Sequence, residues 1–336
     1  MKIVKVSSGS ADLSSLLLRQ SPAGLGIWGD CRFVVNQPVE KCDWWVVCHQ
    51  SGLQSTEVTW CDPKHLVFIS MEPGEGGVSE RFYAQFAKLV LCDRRIEHPD
   101  ITYFNGHTWW VGMNVMHENG HHFYPHVRYG YDSFKEMDCP GKKLRISVIC
   151  SQKNTMPGHR KRLEFLEKLS KHPIGNHVDI FGGGVGPIAD KWDVIAPYKY
   201  HIVLENSVVP DYWSEKLADG FLGFALPIYH GCPNIHDYFS PQSLRLIDIN
   251  DFDRSVALLE NILEHDPYEE HAGTIIHARN QVLDEYNIFQ LMADICNKPG
   301  DRFVKCRLKP PALAARTRLR RLARKVIHRL RGVQAD

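Results

Sequence analysis

The sequence predicts an α/β protein of two doubly wound domains, and three observations carry that expectation. Short, continuous apolar runs recur along the chain, helical periodicities lie between them, and 336 residues suffice for about two domains. A run that is apolar at every position has both faces covered, as in parallel strands with helices above and below. Candidate strands in the first half are Lys2–Val6, Trp44–Cys48, His65–Ser70 and Lys88–Cys92, several of the candidates being continuous apolar runs of this kind. In the second they are Arg145–Ile149, Val178–Phe181, His201–Leu204, Leu226–Tyr229 and Leu244–Ile247. Helices are read at Arg160–Lys171, where Leu163, Leu166 and Leu169 recur at helical spacing, and at Glu215–Phe221, Phe252–Glu264 and Thr274–Asn297. The charged, Pro- and Gly-bearing stretch Asp132–Lys143 reads as the boundary. The expected domains are therefore 1–138, 139–300 and a tail, 301–336.

Composition places the chain among soluble globular proteins, with 43% hydrophobic and 24% charged residues. The ten cysteines include no C-x-x-C pair, which argues against a zinc ribbon or a thioredoxin-type site and for reduced cytosolic thiols. The first twenty residues are broken by Ser, Asp and Arg and do not read as a signal peptide, and no run reaches the length of a membrane span. The net charge of +1 argues against a nucleic-acid partner, but it hides a division. Residues 301–336 hold 12 Lys+Arg and 2 Asp+Glu, a net of +10, against −9 for the first 300. Within the tail, Leu319, Leu322, Val326, Leu330 and Val333 form an apolar stripe, with Arg318, Arg321, Arg324, Lys325 and Arg329 mostly off it. Residues 312–333 thus read as a basic amphipathic helix suited to an anionic membrane surface, the stripe favouring lipid over nucleic acid.

The richest chemistry lies in Tyr198–Ser207, Asp211–Leu217 and Leu226–Pro233. A strand ends in Glu205-Asn206-Ser207, a helix opens at Ser214-Glu215-Lys216, and a second strand ends in a Gly/Pro turn. Ligands of open α/β sheets sit beyond the carboxyl ends of strands. A helix N-terminus there favours phosphate, an adjacent Lys adds a full charge, and a carboxylate can hold ribose hydroxyls. The plainer alternative is that Glu215 supports the helix start and Glu205 pairs with a lysine.

These segments, YKYHIVLENS, DYWSEKL and LPIYHG, resemble the signature of family 10 glycosyltransferases, the α1,3-fucosyltransferases. The resemblance extends into Tyr238–Ser243 and covers about residues 144–300. It implies a GT-B fold, two Rossmann-like domains facing a cleft, with the first domain binding the acceptor. It also implies inverting transfer of L-fucose from GDP-fucose to an acceptor glycan, without a required metal or other cofactor. Asn206, Tyr212, Glu215 and Lys216 fall on the donor-binding block, with Lys216 on phosphate and Glu215 on sugar or ribose hydroxyls; Glu205 belongs to the same block. Upstream, Arg162 has Phe165 and Leu169 at the family's spacing and is preferred to Arg160 for pyrophosphate. Arginine suits that task because its planar fork meets phosphate oxygens in pairs. The base that takes the acceptor proton falls on Glu72, after strand His65–Ser70, with Glu75 as competitor; burial would raise its pKa.

Other segments have competing readings. His117-Glu118-Asn119-Gly120-His121 fits the H-E-x-x-H zinc pattern, but Asn-Gly is a poor helix interior. A surface or acceptor-side loop fits it better, with His121 or Tyr124 available to a sugar. Gly182–Gly186 reads as a close-approach loop beside the donor, centred on Gly183, or as a plain turn. Lys191 reads as a donor-lid residue or a solvated lysine. Trp44-Trp45 and Trp109-Trp110 could stack sugars but are more often core. The basic tail resembles that of bacterial family members. It implies a cytoplasmic enzyme, peripheral to the inner face of the membrane, that modifies an acceptor oligosaccharide or glycolipid for surface polysaccharide or lipid-linked synthesis. The rivals are a relative using another nucleotide sugar and a non-catalytic membrane or nucleic-acid adaptor.

Overall fold

A computed structural model of the chain describes residues 1–9, 14–74, 78–104, 106–118, 121–183 and 188–314. The chain divides into two compact units. The first comprises Met1–Ala11, Cys31–Tyr103 and Cys296–Asp336, the second Asp12–Asp30 and Phe104–Ile295.

The first unit is built on parallel strands β1 (Lys2–Ser7), β2 (Cys31–Val35), β3 (Trp44–Cys48), β5 (Leu66–Ile69), β6 (Lys88–Val90) and β7 (Ile101–Thr102). Their order is β2-β1-β3-β5-β6-β7. Every residue of β3 is buried, as its unbroken apolar run requires. Phe68 of β5 meets the edges of Phe82 and Tyr83, and Trp45 donates its indole N–H to the Ser7 hydroxyl over 3.1 Å. Trp44 stacks on His65, ring centroids 3.8 Å apart. Trp44 and Trp45 therefore hold the core together. Strand β4 (Glu57–Cys61) lies outside this sheet.

The second unit contains a hairpin, β8 (Met113–Glu118) and β9 (His121–Val127), and a parallel sheet. Its strands are β10 (Lys143–Ile149), β11 (Val178–Phe181), β12 (Tyr198–Leu204), β13 (Leu226–His230) and β14 (Arg245–Leu246), in the order β11-β10-β12-β13-β14. Side chains alternate across the sheet. Tyr200, Ile202 and Ile228 face a core with Phe165, Leu166 and Leu169 of α1 (Pro157–Lys171) and Leu259. Val203 and Tyr229 face the opposite core, with Leu217 and Phe221 of α2 (Glu215–Leu222) and Trp109, Phe134 and Trp213. Helices α3 (Phe252–His265), α4 (Tyr268–Leu283) and α5 (Ile288–Ile295) follow. No helix of the described residues is long and apolar enough to cross a membrane.

The observed organisation differs from the expected one, and the second unit also takes Asp12–Asp30 from the expected first domain. The aromatic segment before residue 139 belongs to the second unit, because Trp109, Val111 and Phe134 complete the core above α2. Its backbone is held from both sides. Asp219 accepts the N–H groups of Trp110 and Val111, and Arg19 donates to the carbonyls of Trp109, Val111 and Tyr129. The chain also returns to the first unit before residue 301, and β15 (Val304–Leu308) pairs antiparallel with β4. The expected helix Thr274–Asn297 is two helices. Asn287 separates them, its amide donating to the Leu283 carbonyl over 2.8 Å and its oxygen accepting the Phe289 N–H over 2.9 Å.

Candidate functional site

The carboxyl ends of β10 and β12 and the first turns of α1 and α2 meet in the second unit. Strand β12 stops at Leu204, and Glu205 follows, 2% exposed. Ser214, the N-cap of α2, accepts the Lys216 N–H. Glu205 accepts the Ser214 backbone N–H over 2.8 Å, and the Ser214 hydroxyl lies 2.7 and 2.8 Å from its two oxygens. Both carboxylate oxygens are thus engaged in tying α2 to β12, and Glu205 is an internal strut rather than a group presented to ribose. Lys216 Nζ lies 3.4 Å from Glu205 and 3.1 Å from Glu215. Burial pushes the Glu205 pKa up, against the pull of Lys216. Burial also opposes ionisation of Glu215, but Lys216 and Lys191 overcome it and hold its pKa at about 2.

Helix α1 brings the complementary cation. Arg162 is 3% exposed, its Nη1 donating to the Leu204 carbonyl over 3.3 Å. Its Nε is buried without a hydrogen-bond partner, as is Oδ1 of Asn206. No carboxylate among the described residues forms an ion pair with Arg162. His159, one turn earlier, is also buried; desolvation lowers its pKa, and Arg162, Lys153 and Lys216 lower it further. The same corner therefore gathers Lys153, Arg162, Lys216 and two helix N-termini. Such an arrangement stabilises an anion, above all a multiply charged one. Arg160 points outward and donates to the Asn154 carbonyl over 3.3 Å. Of the two arginines, Arg162 is the buried one and Arg160 the exposed one.

The loops around the corner are shaped by glycine. Gly182 and Gly183 adopt φ of 82° and 37°, and a Cβ on either would approach the Cys150 carbonyl oxygen to 2.8 or 2.9 Å. Gly183 thus lies against the loop after β10, and the Gln152 amide donates to its carbonyl. Gly184–Pro187 lie outside the described residues. Lys191 pairs with buried Asp219 over 2.6 Å and depresses Glu215, so it is part of the charge arrangement rather than a solvated lysine. Tyr212 is 1% exposed and packs as core.

Sequence reasoning missed the clamp that sets the loop before α2. Asp211 has φ of 64°. Its carboxylate accepts from the Asn234 amide and the Tyr238 hydroxyl, each over 2.9 Å, and Asn234 Oδ1 accepts the Asp211 N–H over 2.8 Å. Asn234 after the Gly231-Cys232-Pro233 turn was the available signal, but only the fold brings it to Asp211.

In the first unit, Glu72 follows β5 and is exposed, unlike the buried setting expected of a base. Ser70 fixes its backbone: the hydroxyl donates to the Glu72 carbonyl over 2.7 Å and accepts its N–H over 3.2 Å. Glu75 lies outside the described residues, as does all of the basic segment 312–333 beyond Ala314. The H-E-x-x-H segment spans the antiparallel strands β8 and β9, where His117 pairs with His122. The helix that would point both histidines at one zinc ion is not formed there. Among the described residues no group of three or more His, Cys, Asp or Glu could hold a metal ion.

The family match falls on the same segment. Residues 139–272 match the sequence model of a family described as glycosyltransferase family 10 (fucosyltransferase) C-term. The chain is 38% identical over 145 residues to α-(1,3)-fucosyltransferase B of Drosophila melanogaster, covering 39% of this chain and 32% of that protein. It is 27% identical over 79 residues to α-(1,3)-fucosyltransferase FucT of Helicobacter pylori, covering 23% and 16%. The chain thus spans a third or less of the length of these curated relatives. A crystal structure of an α1,3-fucosyltransferase with GDP superposes with a TM-score of 0.50 at 16% identity, covering 88% of this chain and 90% of that one. That likeness is one of fold, and the fold is of the GT-B class.

Proposed function

We propose, from the premise that residues 139–272 are a family 10 glycosyltransferase domain, that the chain moves L-fucose from GDP-fucose to a hydroxyl of an acceptor glycan with inversion. The single observation that carries the reading is Arg162, a guanidinium 3% exposed with an unpartnered Nε and, among the described residues, no carboxylate in an ion pair with it. A buried charge without its counter-ion is costly, and a diphosphate at this corner supplies one.

The reaction asks three things of these residues. Arg162, Lys216 and the N-terminus of α2 hold the diphosphate and stabilise the charge that grows on it as the bond to the sugar breaks. Asn206, with its free Oδ1, and Glu215, ionised by its lysine neighbours, face donor hydroxyls. Lys216 and, after it, Lys191 keep Glu215 charged, and Gly183 admits the donor close to the backbone. In the first unit Glu72 takes the proton of the acceptor hydroxyl, whose oxygen attacks the anomeric carbon while GDP departs. Its exposure leaves it open to an incoming acceptor. The cations carry the role a metal plays in other transferases, so the reading assigns no metal. The basic segment 312–333 docks the enzyme on an anionic cytoplasmic membrane surface, which suits a lipid-linked or surface-glycan acceptor.

Thermal denaturation with a panel of nucleotide sugars tests the donor. GDP-fucose should raise the melting temperature, and UDP- and dTDP-sugars should not. A shift with UDP- or dTDP-sugars alone would sink the GDP-fucose assignment.

A further inference from the structure

The first unit carries a feature that the transfer reaction does not use. Strands β4 and β15 form a two-stranded antiparallel ribbon in which Lys305 opposes Trp60 and Arg307 opposes Val58. One face is buried, with Thr59, Cys61, Cys306 and Leu308. The other exposes Val58, Trp60, Lys305 and Arg307, Trp60 at 44% and Val58 at 38%. On the far side of Trp60, Lys41 is its bridge partner, so the indole lies in a row between two lysines. Lys41 covers the Phe303 ring at 3.8 Å, and neither Lys305 nor Arg307 forms an ion pair among the described residues. Glu40, which precedes Lys41 in the chain, is exposed.

We infer that this ribbon face is a docking surface for an anionic lipid bilayer, built into the folded unit and distinct from the basic segment 312–333. Three features select that occupant. An exposed tryptophan beside an aliphatic side chain costs free energy in water, and its indole N–H suits the boundary between headgroups and acyl chains. Lysine and arginine on both flanks match the negative potential of an anionic leaflet, their long stems letting the charges reach headgroups while the indole enters. The second strand also leads, six residues on, to Ala314, after which residues 316–331 hold eight more Lys and Arg. A second copy of the chain fits less well, because a two-fold contact on this face would oppose like charges.

Flotation with vesicles of phosphatidylcholine alone and of equal parts phosphatidylcholine and phosphatidylglycerol tests the surface. The full chain is compared with Val58→Ser/Trp60→Ser, with Lys305→Gln/Arg307→Gln, and with Leu319→Ser/Leu322→Ser in the basic segment. Each ribbon variant should weaken binding to the mixed vesicles by about tenfold and leave the melting-temperature shift with GDP-fucose intact. Brominated lipid should quench less tryptophan fluorescence once Trp60 is removed. Unchanged partitioning of both ribbon variants would overturn the inference, even if the Leu319/Leu322 variant lost binding, a result that leaves the membrane role of 312–333 standing. Two further results would also overturn it: loss of a dimer in the ribbon variants with vesicle binding unchanged, or binding to polyuridylate with no binding to vesicles.

Discussion

Gly158 and Asn206 meet backbone to backbone: a Cβ at Gly158 would lie 2.0 Å from the Asn206 carbonyl oxygen. The first turn of α1 thereby approaches the end of β12 closely enough for Arg162 to reach the Leu204 carbonyl. Gly158→Ala must push these segments apart, because backbone cannot turn aside as a flexible side chain does. The expected cost is about 1–3 kcal/mol of stability, with a weaker GDP-induced thermal shift. Gly273, inside α4, is the contrasting case, with nothing within 4 Å of an added Cβ. Gly273→Ala should stabilise the chain by about 0.5–1 kcal/mol and leave GDP binding unchanged.

Arg162→Met should separate binding from folding. It removes a buried charge for which the proposed diphosphate is the counter-ion and keeps most of the volume, so the free protein should lose no more than about 1 kcal/mol. The thermal shift produced by GDP should disappear. Large destabilisation with the shift retained would show that Arg162 is a structural residue.

Lys216→Gln should lower kcat by about 10²- to 10³-fold, as expected for loss of one donor to a developing anion. Near-normal kcat and donor affinity would refute its place on the diphosphate. Steady-state kinetics with GDP-fucose and an accepting glycan read this directly.

Acid stability should bear the mark of His201. Its ring nitrogen lies 2.8 Å from the Ser147 hydroxyl. Burial, helped by Lys191 and Lys142, lowers its pKa from 6.5 to about 3. Between those values the unfolded chain binds a proton that the folded chain does not. Stability therefore falls as pH is lowered through this window, by about 1.4 kcal/mol per unit for one such group. His49, His159, His230 and His271 are shifted downward and act in the same sense. The raised Glu205 acts oppositely above its unfolded value of 4.5, and Glu215 adds to acid loss only below 4.5. Urea midpoints at pH 7 and pH 5 should differ less in His201→Gln than in the parent chain.

Asp211→Ala should cost about 1–3 kcal/mol, because the Asn234 amide and the Tyr238 hydroxyl lose their shared acceptor. Since this clamp sets the loop leading to Ser214, catalysis should fall with it. Asp211→Asn keeps an acceptor oxygen and tolerance of positive φ, and should lose less of both. Equal losses in the two variants would rule out that mechanism.

Local sequence and physical chemistry went far with the second unit. The apolar-rich stretches at Arg145–Ile149, Val178–Phe181 and His201–Leu204 became adjacent parallel strands, since short apolar stretches between helices suit a covered sheet. Ser214 before Glu215 and Lys216 marked a helix start because capping depends on neighbours in the chain. Arg162 was separable from Arg160 by family spacing, and burial then distinguished them physically. Strands β4 and β15 were not readable, because their alternating patterns acquire meaning only when residues 57–61 and 304–308 pair across the intervening chain.

The amino-acid order by itself determined the strand and helix types, the cap of α2 and the concentration of positive charge after residue 300, all properties of short stretches of chain. Tertiary structure alone decided that Glu205 is spent on Ser214, that Asp211 is held by Asn234 and Tyr238, that Trp60 stands exposed between Lys41 and Lys305, and that Arg162 is buried with no carboxylate paired to it among the described residues. Each depends on which distant groups share a small volume. Desolvation and hydrogen bonding act through that volume, whatever the separation along the chain.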